Sequence, residues 1–215
     1  MSPCRLDHLV VTAPSLDAGA AWVRQALGVS PQPGGEHPRM GTHNRLLRLG
    51  DELYLEVIAI NPAAPAPTRP RWFALDRLGS DAAPALSAWV VRTSNIQAAV
   101  SVCSEPIGAV EAMSRGALDW FITLSADGSA PLGGIGPALI EWRTAPHPAS
   151  KLQEQGLSLA KLELAHPEPE RVSRLLTSLR LDAPVTVSAA ARDSKPRLVA
   201  WINTPHGLQV LSSAL

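Results

Sequence analysis

GTHNRLLRLGDELYLEVIAI, residues 41–60, is typical of two strands joined by a tight turn, and the other elements can be interpreted from it. A Gly-Asp pair supplies the turn, and an apolar run follows it. That run contains one carboxylate, Glu56, which the two-residue period of a strand places on the same face as Tyr54 and Ile58. A buried carboxylate needs a cation, a hydrogen-bond donor or a proton, so the hairpin predicts a polar site inside the protein.

A second polar residue interrupts an apolar strand near the start of the chain. In LDHLVV, residues 6–11, alternation places His8 on the same face as Leu6 and Val10. An inward imidazole and an inward carboxylate could share one cation. They could equally bond to each other, or be two unrelated polar residues of the core. The residues alone leave these three interpretations open.

Composition restricts the class of partner. The chain has 215 residues, 46% of them hydrophobic and 18% charged, which suits an ordinary globular protein with one large core or two small ones. Nineteen basic and nineteen acidic side chains cancel, and no Lys/Arg stripe is present. This pattern argues against nucleic acid or a membrane surface as the partner and favours a small-molecule ligand.

The expected compartment is the cytoplasm. No run of about 18 apolar residues and no signal-peptide pattern is present in the sequence. Cys4 and Cys103 have no CxxC spacing and do not form a disulfide framework, so a reducing environment suits them.

The order of predicted elements repeats along the chain. A strand, a helix over residues 16–27, a loop over 31–40 and the hairpin make a first module at about 1–61, and a connector at 61–71 carries four prolines. A similar order follows at about 85–145 and again over 151–215, where Lys161 stands in the place of His8. Repeated units of this kind must share a core. The prediction is an α+β fold of βαββ modules, with a domain over 1–150 and a third, degenerate module packed on it.

At this point the sequence resembles a known family. The repeated module, with a histidine in its first strand (LDHLVV) and a glutamate in its last (YLEVIAI), resembles the vicinal oxygen chelate superfamily. HPRMGTHNRLLRLGDELYLEVIAI and PALIEWRTAPHP resemble its glyoxalase-like branch more narrowly. The resemblance implies cupped, mostly antiparallel mixed sheets like those of glyoxalases, bleomycin-resistance proteins and ring-cleaving dioxygenases.

The resemblance also implies a divalent metal site, with ligands from the first and last strands of each module. Carried over residue by residue, it implies His8 and Glu56 from the first module and Glu141 from the second. The fourth position falls at Ala88, which has no donor atom. The resulting set would suit Zn, Ni, Mn or Fe with open positions for a chelating substrate, or a degenerate site that holds no metal.

Several further residues are candidates for the site. Beside Glu56 and Glu141, His43 is a candidate acid or base next to the hairpin, although a solvent-exposed loop histidine is the alternative. Asn44, Trp72, Trp120 and His37 are candidate substrate-binding residues, each of which could instead have a structural role.

Two functions are consistent with this pattern. One is a metal-dependent enzyme, a lyase, isomerase or related catalyst, that polarises a small oxygenated molecule through a Lewis acid. The other is a metal-free protein that sequesters a small apolar ligand, so enzyme and binding protein both stay open. The third module could also form a homodimer.

Overall fold

The computed structural model describes residues 2–213 as three helices and twelve strands in two sheets. The helices are α1 (Leu16–Leu27), α2 (Ile96–Val102) and α3 (Pro169–Ser178). The strands are β1 (Arg5–Thr12), β2 (Gln32–His37), β3 (Thr42–Gly50), β4 (Leu53–Ile60), β5 (Ala85–Arg92), β6 (Ala109–Arg115), β7 (Leu118–Leu124), β8 (Ala138–Trp142), β9 (Ser158–His166), β10 (Val185–Ala189), β11 (Arg197–Thr204) and β12 (Gly207–Ser212).

The first eight strands form one curled sheet in the order β2-β3-β4-β1-β5-β8-β7-β6. Its two edge strands, β2 and β6, approach each other where Arg39 reaches from just after β2 to Glu111 on β6 at 2.6 Å. Arg69, from the proline-rich connector, contacts the same carboxylate at 3.1 Å. These contacts, the edge clasp hereafter, hold the sheet as a half-barrel with a concave face.

The remaining four strands form a second sheet, in the order β10-β9-β11-β12, on the convex side of the first. Its apolar residues share one core with α1, α2 and the convex face of β1, β4, β5 and β8. Trp89 lies at the centre of this core, fully buried, and its indole N–H donates to the Ile135 carbonyl at 2.8 Å. Burying large side chains on this face leaves the concave face available for a site.

The α+β architecture and cupped mixed sheet predicted from the repeated modules are confirmed. Helix α1 begins after Ser15, whose hydroxyl accepts from the Ala18 N–H, and ends at Gly28, which adopts the left-handed conformation that glycine tolerates best. The loop predicted over residues 31–40 is wrong in part, because Gln32–His37 forms the edge strand β2. Its Pro and Gly residues are tolerated there because an edge strand needs hydrogen bonds on one side only. The domain division at residue 150 stays a prediction.

None of the helices within residues 2–213 has the length and apolar character that a membrane span requires.

Candidate active site

A narrow cavity opens on the concave face of the large sheet. One wall is apolar and the other is polar. The apolar wall consists mainly of Trp72, Phe73, Trp120, Ile122, Ile140 and Trp142, and the polar wall of His8, His37, Asn44, Tyr54, Glu56 and Arg115. An apolar cleft with a few convergent polar groups is the usual form of a small-molecule site.

The polar wall depends on a bulge in β1. Leu6 pairs with Val91 of β5 and His8 pairs with Val90, so Asp7 is an extra residue without a partner in the ladder. In a regular strand Asp7 and His8 would point to opposite faces, whereas a bulge redirects one of them. The Asp7 carboxylate therefore lies beside the His8 ring, with Oδ1 2.6 Å from Nδ1.

Asp7 is fully buried and accepts hydrogen bonds from three side chains. Besides His8, these are the Trp142 indole N–H at 2.9 Å and His147 Nε2 at 3.0 Å. Burial by itself raises the pKa of Asp7, but the bonds from His147 and His8 outweigh it and hold that pKa well below its usual range. An ionised Asp7 can only accept, so Nδ1 of the His8 ring carries a proton, and Nε2 is the ring nitrogen that faces the cavity.

His8 Nε2 faces Glu56 across a gap of 3.7 Å, measured to Oε2. The other Glu56 oxygen accepts from Asn44 Nδ2 at 2.5 Å, and Asn44 Oδ1 in turn accepts from the Gly35 N–H at 2.8 Å. Tyr54 stacks on the opposite side of the His8 ring, with ring centroids 4.6 Å apart. The imidazole and the carboxylate are thus fixed by second partners while one atom of each stays available to a ligand.

Arg115, at the end of β6, reaches across the cavity rim to β2. Its Nη1 donates to His37 Nε2 at 3.1 Å and lies 3.4 Å from Asn44 Oδ1. His37 Nδ1 lies 3.1 Å from Thr42 Oγ1, so these partners assign the His37 proton to Nδ1. Burial, and after it the charge of Arg115, lower the pKa of His37 to about 3, so this ring is neutral near pH 7.

Most of the predicted site residues meet in this cavity. His8 and Glu56 face each other, as the parity of their strands indicates. The remaining predicted residues that line it are His37, Asn44, Trp72 and Trp120. Their roles toward a ligand stay predictions.

The prediction that Glu141 joins His8 and Glu56 at a metal is wrong. Ile140 and Trp142 line the cavity, so Glu141, between them on β8, lies on the opposite face. Its Oε2 accepts from the Ile96 N–H at 2.8 Å, at the start of α2, and its Oε1 accepts from Arg143 at 2.7 Å.

Strand register explains this error. Glu56 pairs with Val10 of β1, and in the second module Val90 of β5, the counterpart of Val10, pairs with Ala138. The second-module counterpart of Glu56 is therefore Ala138 and not Glu141.

We expect Glu141→Ala to lower the free energy of unfolding by about 1–2 kcal/mol and to leave ligand binding in the cavity unchanged, because it removes an acceptor at a helix start. Urea denaturation measures the first effect and ligand titration the second. Glu170→Ala, an exposed residue in the first turn of α3, is the matched control and should change stability by less than about 0.5 kcal/mol. If Glu141→Ala kept its stability and lost ligand binding, Glu141 would belong to the site after all.

His43 also lies outside the cavity. It pairs with Ala59 across the hairpin, while its neighbour Asn44 pairs with Ile58 and lines the cavity. Consecutive residues of a strand point to opposite faces, so the His43 ring lies on the other side of the sheet. Partial burial is the largest cause of a lowered pKa at His43. The prediction of His43 as a catalytic acid or base is therefore wrong.

The donor atoms in the cavity fall short of a resident divalent metal site. His8 and Glu56 supply two donors, but the counterparts of these residues in the second module are Ala88 and Ala138, buried in an apolar cluster. Within residues 2–213 no group of three or more His, Cys, Asp or Glu side chains is placed to hold a metal ion. Structural and catalytic metal sites usually have three or four protein ligands.

Three residues of the site were missed from the sequence. Asp7 interrupts an apolar strand as Glu56 does, and that signal was available, but only the bulge shows that it faces His8. His147 precedes a proline in a loop, a position typical of a structural role, yet it shares the Asp7 carboxylate. Arg115 precedes a glycine in a turn and carries no local signal, because only the curl of the sheet brings it to His37.

Residues 6–180 match the glyoxalase-like domain family, so the chain belongs to that family and, through it, to the vicinal oxygen chelate superfamily. Among curated proteins, none matches this chain.

Several solved structures are similar to this chain. A hypothetical protein from Staphylococcus aureus is 13% identical, with 88% of this chain and 87% of that chain covered and a TM-score of 0.62. A Streptomyces coelicolor methylmalonyl-CoA epimerase in complex with 2-nitronate-propionyl-CoA is 17% identical, with 66% and 100% covered and a TM-score of 0.44. A catechol 2,3-dioxygenase is 11% identical, with 98% and 87% covered and a TM-score of 0.42. At such identities the likeness concerns the fold and not the reaction.

Proposed function

We propose that this protein is an enzyme that transfers protons on a small oxygenated molecule bound in the cavity, with His8 and Glu56 as its acid and base. One observation carries the proposal: on the cavity lining, an imidazole fixed by a buried carboxylate lies beside a second carboxylate, with His8 Nε2 3.7 Å from Glu56 Oε2. Paired titratable groups with different second partners are a common form of an acid-base site.

The proposed step begins at Glu56. Its Oε2 removes a proton from a carbon atom next to a carbonyl or carboxyl group, the electron pair of the broken C–H bond forms a C=C bond, and the π pair of the C=O bond moves onto its oxygen. Asn44 holds the other oxygen of Glu56 in place, so Oε2 is the atom that meets the substrate. The proton returns to carbon, on either side, when the electron pair moves back.

His8 supplies a second proton position. Its Nε2 lone pair can take the proton that Glu56 has removed, and Asp7 stabilises the imidazolium that results. The pair therefore keeps one proton inside the cavity during the reaction. The indoles of Trp72, Trp120 and Trp142 on the same lining limit the water around the pair, which strengthens the electrostatic interactions of the site.

A divalent metal, implied by the family resemblance, would polarise the oxygens of the same substrate. With two protein donors, the ion would have to take its remaining ligands from substrate and water, and the donor set does not favour a resident metal. The proposed step is therefore assigned to side chains alone.

Hydrogen exchange into D2O tests the proposal. Lactate, mandelate and 3-phenyllactate carry vicinal oxygens and a C–H bond that exchanges very slowly without a catalyst, and proton NMR follows the loss of that hydrogen. We expect the protein to catalyse exchange on at least one of them, with EDTA present, and Glu56→Gln to lower the rate by about a hundredfold. Glu163→Gln, at a surface ion pair of the small sheet, is the control and should keep the rate.

Each outcome of this experiment has a consequence. Full activity of Glu56→Gln, or no exchange on any compound, would contradict the proposal. Activity that EDTA removes and a divalent ion restores would contradict the assignment to side chains alone.

A second candidate function is metal-free sequestration of a small molecule. Three tryptophans on the cavity wall favour it, because indole faces bind flat apolar ligands without any chemistry. Tight binding without hydrogen exchange would favour this function.

A further inference from the structure

We infer that the cavity binds a molecule with a carboxylate or similar oxyanion on an apolar body, and that Arg115 binds its negative charge. The inference rests on the proposed function for the identity of the cavity as the substrate site. It assigns the class of substrate, which the acid-base pair by itself leaves open.

The first observation is the charge of Arg115. Among residues 2–213 its hydrogen-bond partners are His37 and Asn44, both neutral side chains, and no carboxylate lies within ion-pair distance of it. Nine other arginines each contact a carboxylate: Arg39, Arg45, Arg48, Arg69, Arg71, Arg77, Arg92, Arg143 and Arg171. A cation that lines a cavity without a paired anion creates a favourable place for a ligand's negative charge.

The second observation is an unpaired donor on the same lining. Trp72 is 4% exposed, and its indole N–H has no acceptor in the described part of the chain. A buried donor of this kind costs free energy until an acceptor reaches it. The Trp72 ring meets His37 edge to face, with centroids 5.0 Å apart, and His37 is the partner of Arg115. The Trp72 ring therefore lies beside the His37–Arg115 pair on the cavity lining.

The third observation is the position of His37. Its neutral ring accepts from Arg115 through Nε2, and its remaining proton is directed to Thr42. His37 therefore orients the guanidinium without neutralising it. Trp120 and Trp142, with centroids 5.5 Å apart, give the apolar body of the ligand a surface to pack on.

Mandelate and mandelamide are a matched pair of probes, because they differ in the carboxylate and share the phenyl ring and hydroxyl group. Intrinsic tryptophan fluorescence and ligand-detected NMR measure their binding. We expect the wild-type protein to bind mandelate at least tenfold more tightly than mandelamide. Arg115→Gln should remove this preference through weaker mandelate binding while mandelamide binding is unchanged, and Arg115→Lys should keep part of it.

Arg45→Gln is the control, since Arg45 lies on β3 next to Asn44 but contacts Asp17 outside the cavity. It should keep the full preference, and circular dichroism confirms that each variant is folded. The inference is overturned if Arg115→Gln still prefers mandelate to mandelamide. It is also overturned if the wild-type protein has no such preference and binds benzoate and 3-phenyllactate weakly. A preference for mandelate without hydrogen exchange supports the inference and contradicts the proposed function. Hydrogen exchange without any preference for a carboxylate supports the proposed function and contradicts the inference.

Discussion

Asp7→Asn is expected to lower the free energy of unfolding by about 3 kcal/mol and to abolish hydrogen exchange in the cavity. The buried carboxylate accepts from His8, Trp142 and His147, and all three groups are donors in the native structure. An asparagine amide retains one acceptor atom and replaces the other with an NH2 group. A donor then faces a donor inside the protein, and His8 loses the partner that fixes its tautomer.

The change should be large enough for a thermal melt. In a chain of 215 residues, 1 kcal/mol corresponds to about 2–4 °C, so the melting temperature should fall by roughly 10 °C. Asp119→Asn is the matched control, because Asp119 is exposed and its carboxylate has no hydrogen-bond partner within residues 2–213. If Asp7→Asn had the melting temperature of the wild-type protein, the Asp7 hydrogen bonds would have to be unimportant to both the fold and the site.

Gly34→Ala should weaken mandelate binding at least tenfold and lower the free energy of unfolding by about 1–3 kcal/mol. A Cβ atom at position 34 would lie 2.1 Å from Asn44 Oδ1 and 2.8 Å from the Asn44 carbonyl oxygen. Moving the side chain alone cannot relieve both contacts, so β2 must move away from β3. Asn44 then no longer positions Glu56, and His37 at the end of β2 no longer positions Arg115.

Gly79→Ala is the control for this substitution. Its Cβ atom would meet only Asp81 Oδ1, at 3.3 Å, and residue 79 is exposed. We expect little change in stability or binding. Calorimetric titration with mandelate and urea denaturation report the two effects, and wild-type affinity in Gly34→Ala would show that the Asn44 contact does not control the site.

The sequence predicts which residues of a single strand point to the same face. The strand pattern places Tyr54, Glu56 and Ile58 on one face, and His8 on the matching face of β1, because each lies in a mainly apolar run. Trp72 and Trp120 could also be predicted at the cavity, since one follows the connector and the other lies on a strand of the second module.

Features that depend on register or curvature could not be predicted. Strand β8 is buried on both faces, so Leu139 and Ile140 are equally apolar and alternation does not reveal which face Glu141 occupies. The bulge at Asp7 is visible only in the pairing of β1 with β5. Arg115 and His37 are 78 residues apart in sequence and meet because the sheet curls.

The edge clasp of Arg39, Arg69 and Glu111 has a consequence for behaviour at high protein concentration. An exposed strand edge is a template on which another chain can polymerise, and in the large sheet β2 and β6 face each other across the clasp. Within residues 2–213 no such closure covers β12 of the small sheet, where Leu208 is 52% and Val210 is 40% exposed. Aggregation of the native protein should therefore begin at β12, and a charged residue at position 210 should improve solubility without touching the cavity.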